Sequence, residues 1–312
     1  MRRLIALLSL LGALTACAAP GAPADSVPAA DVAPAEEAAD AVPQPGTMGD
    51  TVTFSQAAPE QLTYTVVLET LEDAALAEDG TELVRQSCDL PVMTVELADG
   101  TALTEASTPA EEAALAAAET FNSQFSPWAA SDGLEELAAV AEEDRAFRTE
   151  NGFPWNPHAV ELNCSVYQTE QMVSIQAEYY TYTGGAHPNT MLMAWNFDLT
   201  TGQFFTPEQL AADGQAFLET VAETLLRQGR ETAAAYDMAP EDFFWTNYQE
   251  IIAGWSSYAV SFDGEGMTVG FSPYELAAYA AGAQIYHLPY EQLAGYFSAH
   301  GLALLGLSAA EK

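Results

Sequence analysis

The chain has 312 residues, of which 45 are acidic and only 8 are lysine or arginine, so its formal net charge is −37. A surface this acidic repels nucleic-acid phosphates and anionic lipid headgroups, which excludes a nucleic-acid-binding protein. It attracts cationic partners from a distance, although acidity also serves solubility alone.

The N-terminus has the pattern of an export signal. Two arginines precede the apolar stretch Leu4–Leu14, which is too short to span a bilayer, since that takes about 20 apolar residues. The sequence Leu-Thr-Ala-Cys then ends at Cys17 and resembles the lipobox of bacterial lipoproteins, whose cysteine receives a diacylglycerol and becomes the first residue. We predict a signal peptide over residues 1–16 and lipidation of Cys17. The alternative is an ordinary secretory signal cleaved after Ala16 or Ala19.

Residues 17–50 are predicted to carry the lipid and to form a disordered linker. The segment after Cys17 consists mostly of alanine, proline and acidic residues, has no aromatic residue, and cannot bury enough apolar surface to offset its ordering entropy. No later stretch is long and apolar enough to span a membrane. The sequence therefore predicts an extracytoplasmic protein held by its lipid, on the outer face of the cell membrane or in a Gram-negative periplasm.

The first half of the remaining chain alternates between strand and helix patterns. Apolar alternation predicts strands at residues 64–68 and 93–97. Apolar residues at helical spacing predict helices over residues 111–125 and 134–147. Residues 151–158, with two prolines and a glycine, are predicted to form a loop.

The second half begins with the strongest strand signal. Alternation is regular over residues 173–180 and resumes over 191–199. A capping box at Thr206 predicts a helix start, and the helical face continues along Phe217, Val221 and Leu225.

Three further elements are predicted near the C-terminus. Residues 242–252 are predicted to be helical, and residues 260–271 to form a hairpin. A second capping box predicts a short helix from Ser272 to Ala281. Because hairpins dominate, we predict an α+β fold of antiparallel sheets with helices packed on one face, in two sub-domains.

Cys88 and Cys164 are the cysteines that remain after Cys17. An exported chain faces an environment in which disulfides persist, so this spare pair predicts one disulfide. The alternative is two buried free thiols.

No arrangement of residues typical of catalysis stands out. The four histidines show no i, i+4 pair, and there is no Gly-x-Ser-x-Gly, no Cys-x-x-Cys and no phosphate-binding glycine loop. We therefore predict no catalytic residue, no metal and no cofactor. The rival interpretation is a hydrolase of cell-wall polymers, because 45 acids provide many carboxylate pairs that composition cannot rank.

Residues 179–188 have the composition of a recognition loop. Their glycines permit positive φ, and their tyrosines offer broad contact surface with little rotamer freedom to lose. The alternative is a tight hairpin whose tyrosines pack on a sheet. The candidate binding residues are Tyr179, Tyr180, Tyr182, Gly184, Gly185 and His187.

Three blocks, over residues 174–187, 195–202 and 271–282, resemble one family of extracytoplasmic proteins. In their order and spacing they resemble the RsiV-type anti-sigma proteins. In that family a PdaC-like region (domain of unknown function 4163) precedes an RsiV-like domain (domain of unknown function 3298). The resemblance places the first region at residues 51–200 and the second at residues 201–312.

The resemblance implies a binding function. RsiV-like ectodomains bind lysozyme and release a sigma factor from a cytoplasmic tail. In PdaC-like deacetylases the matching domain is an accessory to a separate catalytic domain. We find neither a transmembrane helix nor that catalytic domain in this sequence, so we expect a non-catalytic binding ectodomain. The expected partners are the membrane, through the lipid, and lysozyme, another cationic wall-active protein or a wall glycan.

Overall fold

A computed structural model describes residues 62–129 and 132–308, which belong to one compact unit. The predicted signal peptide, Cys17 and the linker lie outside the described residues. Within the described part of the chain, no helix has the length and apolar character needed to cross a membrane.

The larger of two sheets has six strands in the order β1-β2-β3-β4-β5-β6. All neighbours are antiparallel except β2 and β3, which are parallel because a helical crossover connects them. The strands are β1 (Thr63–Leu76), β2 (Glu82–Glu96), β3 (His158–Gln168), β4 (Met172–Tyr182), β5 (Asn189–Asp198) and β6 (Gln203–Phe204). The crossover contains α1 (Pro109–Phe125) and α2 (Asp132–Asn151).

Helix α1 covers one face of this sheet. It begins at a complete capping box formed by Thr108 and Glu111, with a proline in the first turn. Its buried face brings Phe121 into one apolar cluster with Ile175 of β4 and Phe197 of β5. The helix predicted from apolar spacing at residues 111–125 is thereby confirmed, with its start two residues earlier.

The opposite face of the large sheet is covered by the C-terminal part of the chain. There Met172 of β4 joins an apolar cluster with Phe217, Val221 and Leu225 of α3, around the fully buried Trp255. The elements of this part are α3 (Gly214–Ala235), α4 (Pro240–Phe243), α5 (Tyr248–Ala253), β7 (Ala259–Phe262), β8 (Gly266–Phe271), β9 (Gln284–Pro289), α6 (Tyr290–Leu293) and α7 (Ala299–Leu304).

Strands β7, β8 and β9 form the second, three-stranded antiparallel sheet. The predicted α+β class is confirmed by these two sheets and their helices. The strand β6 lies beyond residue 200 and still pairs with β5, so the large sheet crosses the position at which the two predicted regions meet.

Two predictions of helices were wrong. The predicted helix over residues 242–252 is interrupted between α4 and α5, because Phe244 is extended and bridges to Ala277. The predicted helix from Ser272 to Ala281 is absent, because Tyr274 has a φ of 72°, which a right-handed helix excludes. Only a short 3₁₀ turn forms, at Tyr279–Ala281. Strands β3 and β9 were not predicted.

A buried polar network joins the two sheets. The Ser174 hydroxyl donates to Asn196 Oδ1 over 2.8 Å and accepts from the backbone N–H of Phe262 over 2.9 Å. Asn196 Nδ2 donates to the carbonyl of Val260 over 2.8 Å. Two side chains of the large sheet thus satisfy backbone groups of β7 that would otherwise be buried without partners.

We expect Ser174→Ala to lower the free energy of unfolding by about 1–3 kcal/mol, because it leaves Phe262 N–H and Asn196 Oδ1 buried without this partner. Urea denaturation measures the change. Ser165→Ala is the matched control, since Ser165 lies exposed on β3 of the same sheet. The control should stay within about 0.5 kcal/mol of the parent protein. Equal effects of the two substitutions would contradict the role of the network.

Candidate recognition site

The hairpin that joins β4 to β5 ends in an exposed tip, residues 183–188. Gly184 has a φ of 84°, a conformation that favours glycine. The space around it is also closed, since an added Cβ would lie 3.0 Å from both Asp144 Cγ and His158 Nε2. The tip therefore rests directly on α2 and β3, and its His187 is exposed.

His187 meets two tyrosines of the segment between β8 and β9. Its ring stacks on Tyr279, with centroids 3.9 Å apart and planes 19° apart. The Tyr274 hydroxyl lies 3.3 Å from His187 Nε2. We call these three residues, together with Trp245, the aromatic platform.

The His187 ring is oriented by hydrogen bonds at both nitrogens. Its Nδ1 lies 2.8 Å from the carbonyl of Pro188, which can only accept, so Nδ1 carries a hydrogen. In the neutral ring Nε2 is then an acceptor, and the Tyr274 hydroxyl donates to it. The ring therefore has a fixed face and a fixed pattern of donors and acceptors.

Tyr274 has a strained backbone. Its φ of 72° is uncommon for a bulky side chain, and such conformations cost about 1–3 kcal/mol. The indole of Trp245 donates to the Tyr274 carbonyl over 2.9 Å. This bond stabilises a conformation in which the Tyr274 side chain is 50% exposed.

The turn that presents Tyr274 is joined to the large sheet. The Ser272 hydroxyl accepts from the backbone N–H of Leu192 in β5 over 3.0 Å. The Ser272 N–H donates to the Glu275 carboxylate, which closes the turn. Burial raises the pKa of the Glu275 carboxyl, and the hydrogen bonds from Ser272 offset this only in part.

Of the six predicted binding residues, the structure brings one into the platform. His187 belongs to it, and Gly184 and Gly185 form the tip beside it. Tyr179 needs correction, because it is only 9% exposed and packs edge-on against Trp128, so it belongs to the core. Tyr180 and Tyr182 are half-buried on β4, and Tyr182 packs edge-on against the ring of His158.

The other members of the platform were missed by sequence reasoning. Tyr274 and Tyr279 lie in a block that the sequence singled out, but as part of a helix. Trp245 carried no signal of its own. The positive φ of Tyr274 depends on tertiary contacts, so no local pattern in the sequence predicts it.

The site has no arrangement for metal chemistry. Among the residues that the structure describes, no group of three or more His, Cys, Asp or Glu side chains could hold a metal ion. The platform offers aromatic faces, tyrosine hydroxyls and an imidazole at the surface, which suits contact with a ligand.

The comparisons with known proteins match part of the chain. The model of a family described as deacetylase PdaC matches residues 105–190, a segment that runs from the loop before α1 to the start of β5. A PdaC-like segment is therefore present, and it contains the hairpin tip. No curated protein matches the chain.

Two solved structures of the DUF3298 family are similar to this chain. One is from Bacteroides fragilis, with 14% identity over 79% of this chain and 97% of that chain and a TM-score of 0.47. The other is from Pseudomonas aeruginosa, with 14% identity over 77% of this chain and 96% of that chain and a TM-score of 0.43.

Cys88 and Cys164 are free thiols in the structure, in place of the predicted disulfide. They face the same apolar cluster from the parallel strands β2 and β3. Cys88 pairs with Leu162, so Cys164 is offset by two residues. The Cα atoms of such diagonal neighbours are about 8 Å apart, which exceeds the separation that a disulfide spans.

We expect both thiols to react slowly with iodoacetamide in the native protein. Cys88 is buried, and burial raises the pKa of Cys164 to about 12, so thiolate is scarce. Unfolding without a reductant should then add two carbamidomethyl groups to these cysteines, counted by mass spectrometry of the peptides that contain them. If neither cysteine is labelled after unfolding, the two thiols are joined in the predicted disulfide.

Proposed function

We propose that this protein is a non-catalytic binding protein of the cell envelope, anchored by a lipid on Cys17. Its ligand is a cationic wall-active protein such as lysozyme. The observation that carries the proposal is the exposed aromatic platform on a chain with a net charge of −37.

The distribution of charge supports a cationic ligand. Of the arginines in the described residues, three are paired with carboxylates. Arg145 pairs with Asp79 and Glu142, Arg148 with Asp144, and Arg227 with Glu231. Little positive charge therefore opposes the field of the acids, which accelerates the encounter with a cationic protein at low ionic strength.

The aromatic platform supplies the short-range contact. Tyrosine and tryptophan are the residues most often found at the energetic centres of protein interfaces. The stacking of His187 on Tyr279 and the bond from Trp245 to Tyr274 hold the rings in place before a ligand arrives. A preordered surface loses less conformational entropy on binding.

Experiment can also favour one of two alternatives, a different ligand or a catalytic function. Aromatic rings also stack on sugars, so wall glycan is the alternative ligand. The matching family is described as a deacetylase, and the rival function is a hydrolase acting on wall polymers. Release of acetate or soluble fragments from peptidoglycan by the purified protein would establish that rival.

We expect Tyr274→Ala to weaken lysozyme binding by about 2 kcal/mol, or about 30-fold in Kd, because it removes an exposed aromatic anchor. Surface plasmon resonance with the purified protein measures the change. Tyr236→Ala is the matched control, since Tyr236 is also exposed and lies outside the platform. Raising salt to physiological levels should slow association more than it speeds dissociation.

Two results would contradict this prediction. Equal affinities of the Tyr274→Ala and parent proteins would show that charge alone causes binding. Absence of binding to lysozyme at micromolar concentration in low salt would remove the proposed ligand, and binding of peptidoglycan in its place would identify glycan.

We expect Cys17→Ala to abolish lipid attachment, because the thiol is the acceptor in the lipobox-like sequence. Fractionation of cells should find the variant released from the membrane or unprocessed. Metabolic labelling with a fatty acid should mark the parent protein alone. A variant that is processed and retained like the parent would contradict the anchor.

A further inference from the structure

The carbonyl of Gly184 in the hairpin tip is bonded to α2 through one arginine. The Nη2 of Arg148 donates to this carbonyl, while its Nε donates to Asp144 Oδ2 over 2.8 Å. Its Nη1 lies 3.4 Å from the carbonyl of Pro154, in the loop before β3. One guanidinium therefore joins the tip, the helix and the loop.

The groups around this guanidinium are mostly acceptors. The Asp144 carboxylate lies where a side chain of Gly184 would be, and it also lies 3.4 Å from His158 Nε2. His158 is 1% exposed, and its Nδ1 is buried without a hydrogen-bond partner among the described residues. Without the guanidinium, the Asp144 carboxylate and the Gly184 carbonyl would face each other as two acceptors.

Gly184 is packed tightly against its neighbours in α2 and β3. The absence of a Cβ at Gly184 is what lets the tip approach Asp144 and His158. His187 follows only three residues later, and its stacking on Tyr279 depends on where the tip lies. A small displacement of Gly184 would therefore also move His187 relative to Tyr279.

We propose that Arg148 is the positioning residue of the recognition site, holding the hairpin tip on α2 so that His187 stacks on Tyr279. The role of the platform in ligand binding rests on the proposed function, whereas the effect of Arg148 on His187 does not. Among the described residues, no hydrogen bond joins Arg148 to Tyr274 or Tyr279, so its effect on the platform passes through the tip.

The test compares Arg148→Gln with Arg145→Gln in the full chain. Both remove one positive charge from α2, but Arg145 pairs with Asp79 and Glu142, away from the described residues of the tip. The first readout is the NMR shift of the His187 ring protons, assigned with His187→Gln. Stacking on Tyr279 moves them upfield by the ring current of the tyrosine. The second readout is the Kd for lysozyme.

We expect Arg148→Gln to lose the upfield shift and to weaken lysozyme binding about tenfold, because the preordered site is lost. Arg145→Gln should retain both. If Arg148→Gln does not fold, Arg148→Lys replaces it, since lysine keeps the charge beside Asp144 but cannot make all three directed bonds.

The outcomes separate the two proposals. A folded Arg148 variant that keeps the His187 shift overturns the positioning role. Loss of the shift in Arg148→Gln alone supports it, even if the parent protein does not bind lysozyme, in which case the proposed function fails by itself. Loss of the shift in both variants overturns it, because charge on α2 would then be the cause.

Discussion

The structure depends on the buried network of Ser174 and Asn196 beneath β7. Apolar packing alone holds two sheets together without fixing their relative position, because it has no direction. The three hydrogen bonds of this network are directional, and two of them end on specific backbone groups of β7, the N–H of Phe262 and the carbonyl of Val260. A slide of one sheet over the other would break these two bonds together and leave buried polar groups unpaired, which is costly. The network therefore sets the register between the two layers.

The recognition site follows from that register. The tip that carries His187 extends from β4 and β5, while Tyr274 and Tyr279 lie between β8 and β9. The two halves meet at a ring separation of 3.9 Å, so a slide of one sheet over the other would separate the stacked rings. A further hydrogen bond, from the N–H of Leu192 in β5 to the Ser272 hydroxyl, joins the layers close to the site. The platform is thus composite, and neither layer contains it alone.

Local patterns in the sequence predicted what depends on local structure. The helix α1 and the alternation of β4 were recognised because their apolar residues follow the helix and strand periods. Strand β3 was missed although its apolar residues Val160, Leu162 and Cys164 alternate with polar ones at the strand period. His187 was identified from its loop, but its partner Tyr274 is 87 residues distant in the chain. Contacts at that separation are decided by packing of the sheets, which no local pattern encodes.

The wrong helix after Ser272 shows why capping chemistry alone is ambiguous. Ser272 and Glu275 make the backbone bond expected of a capping box, but here the bond closes a turn. The Glu275 carboxylate accepts from the Ser272 N–H in either structure, so this bond does not decide between a helix and a turn. The Ser272 hydroxyl accepts from Leu192, and the Tyr274 carbonyl accepts from Trp245, so both groups are committed to tertiary partners. These bonds offset the cost of the positive φ at Tyr274, and the strained turn places the Tyr274 hydroxyl beside His187.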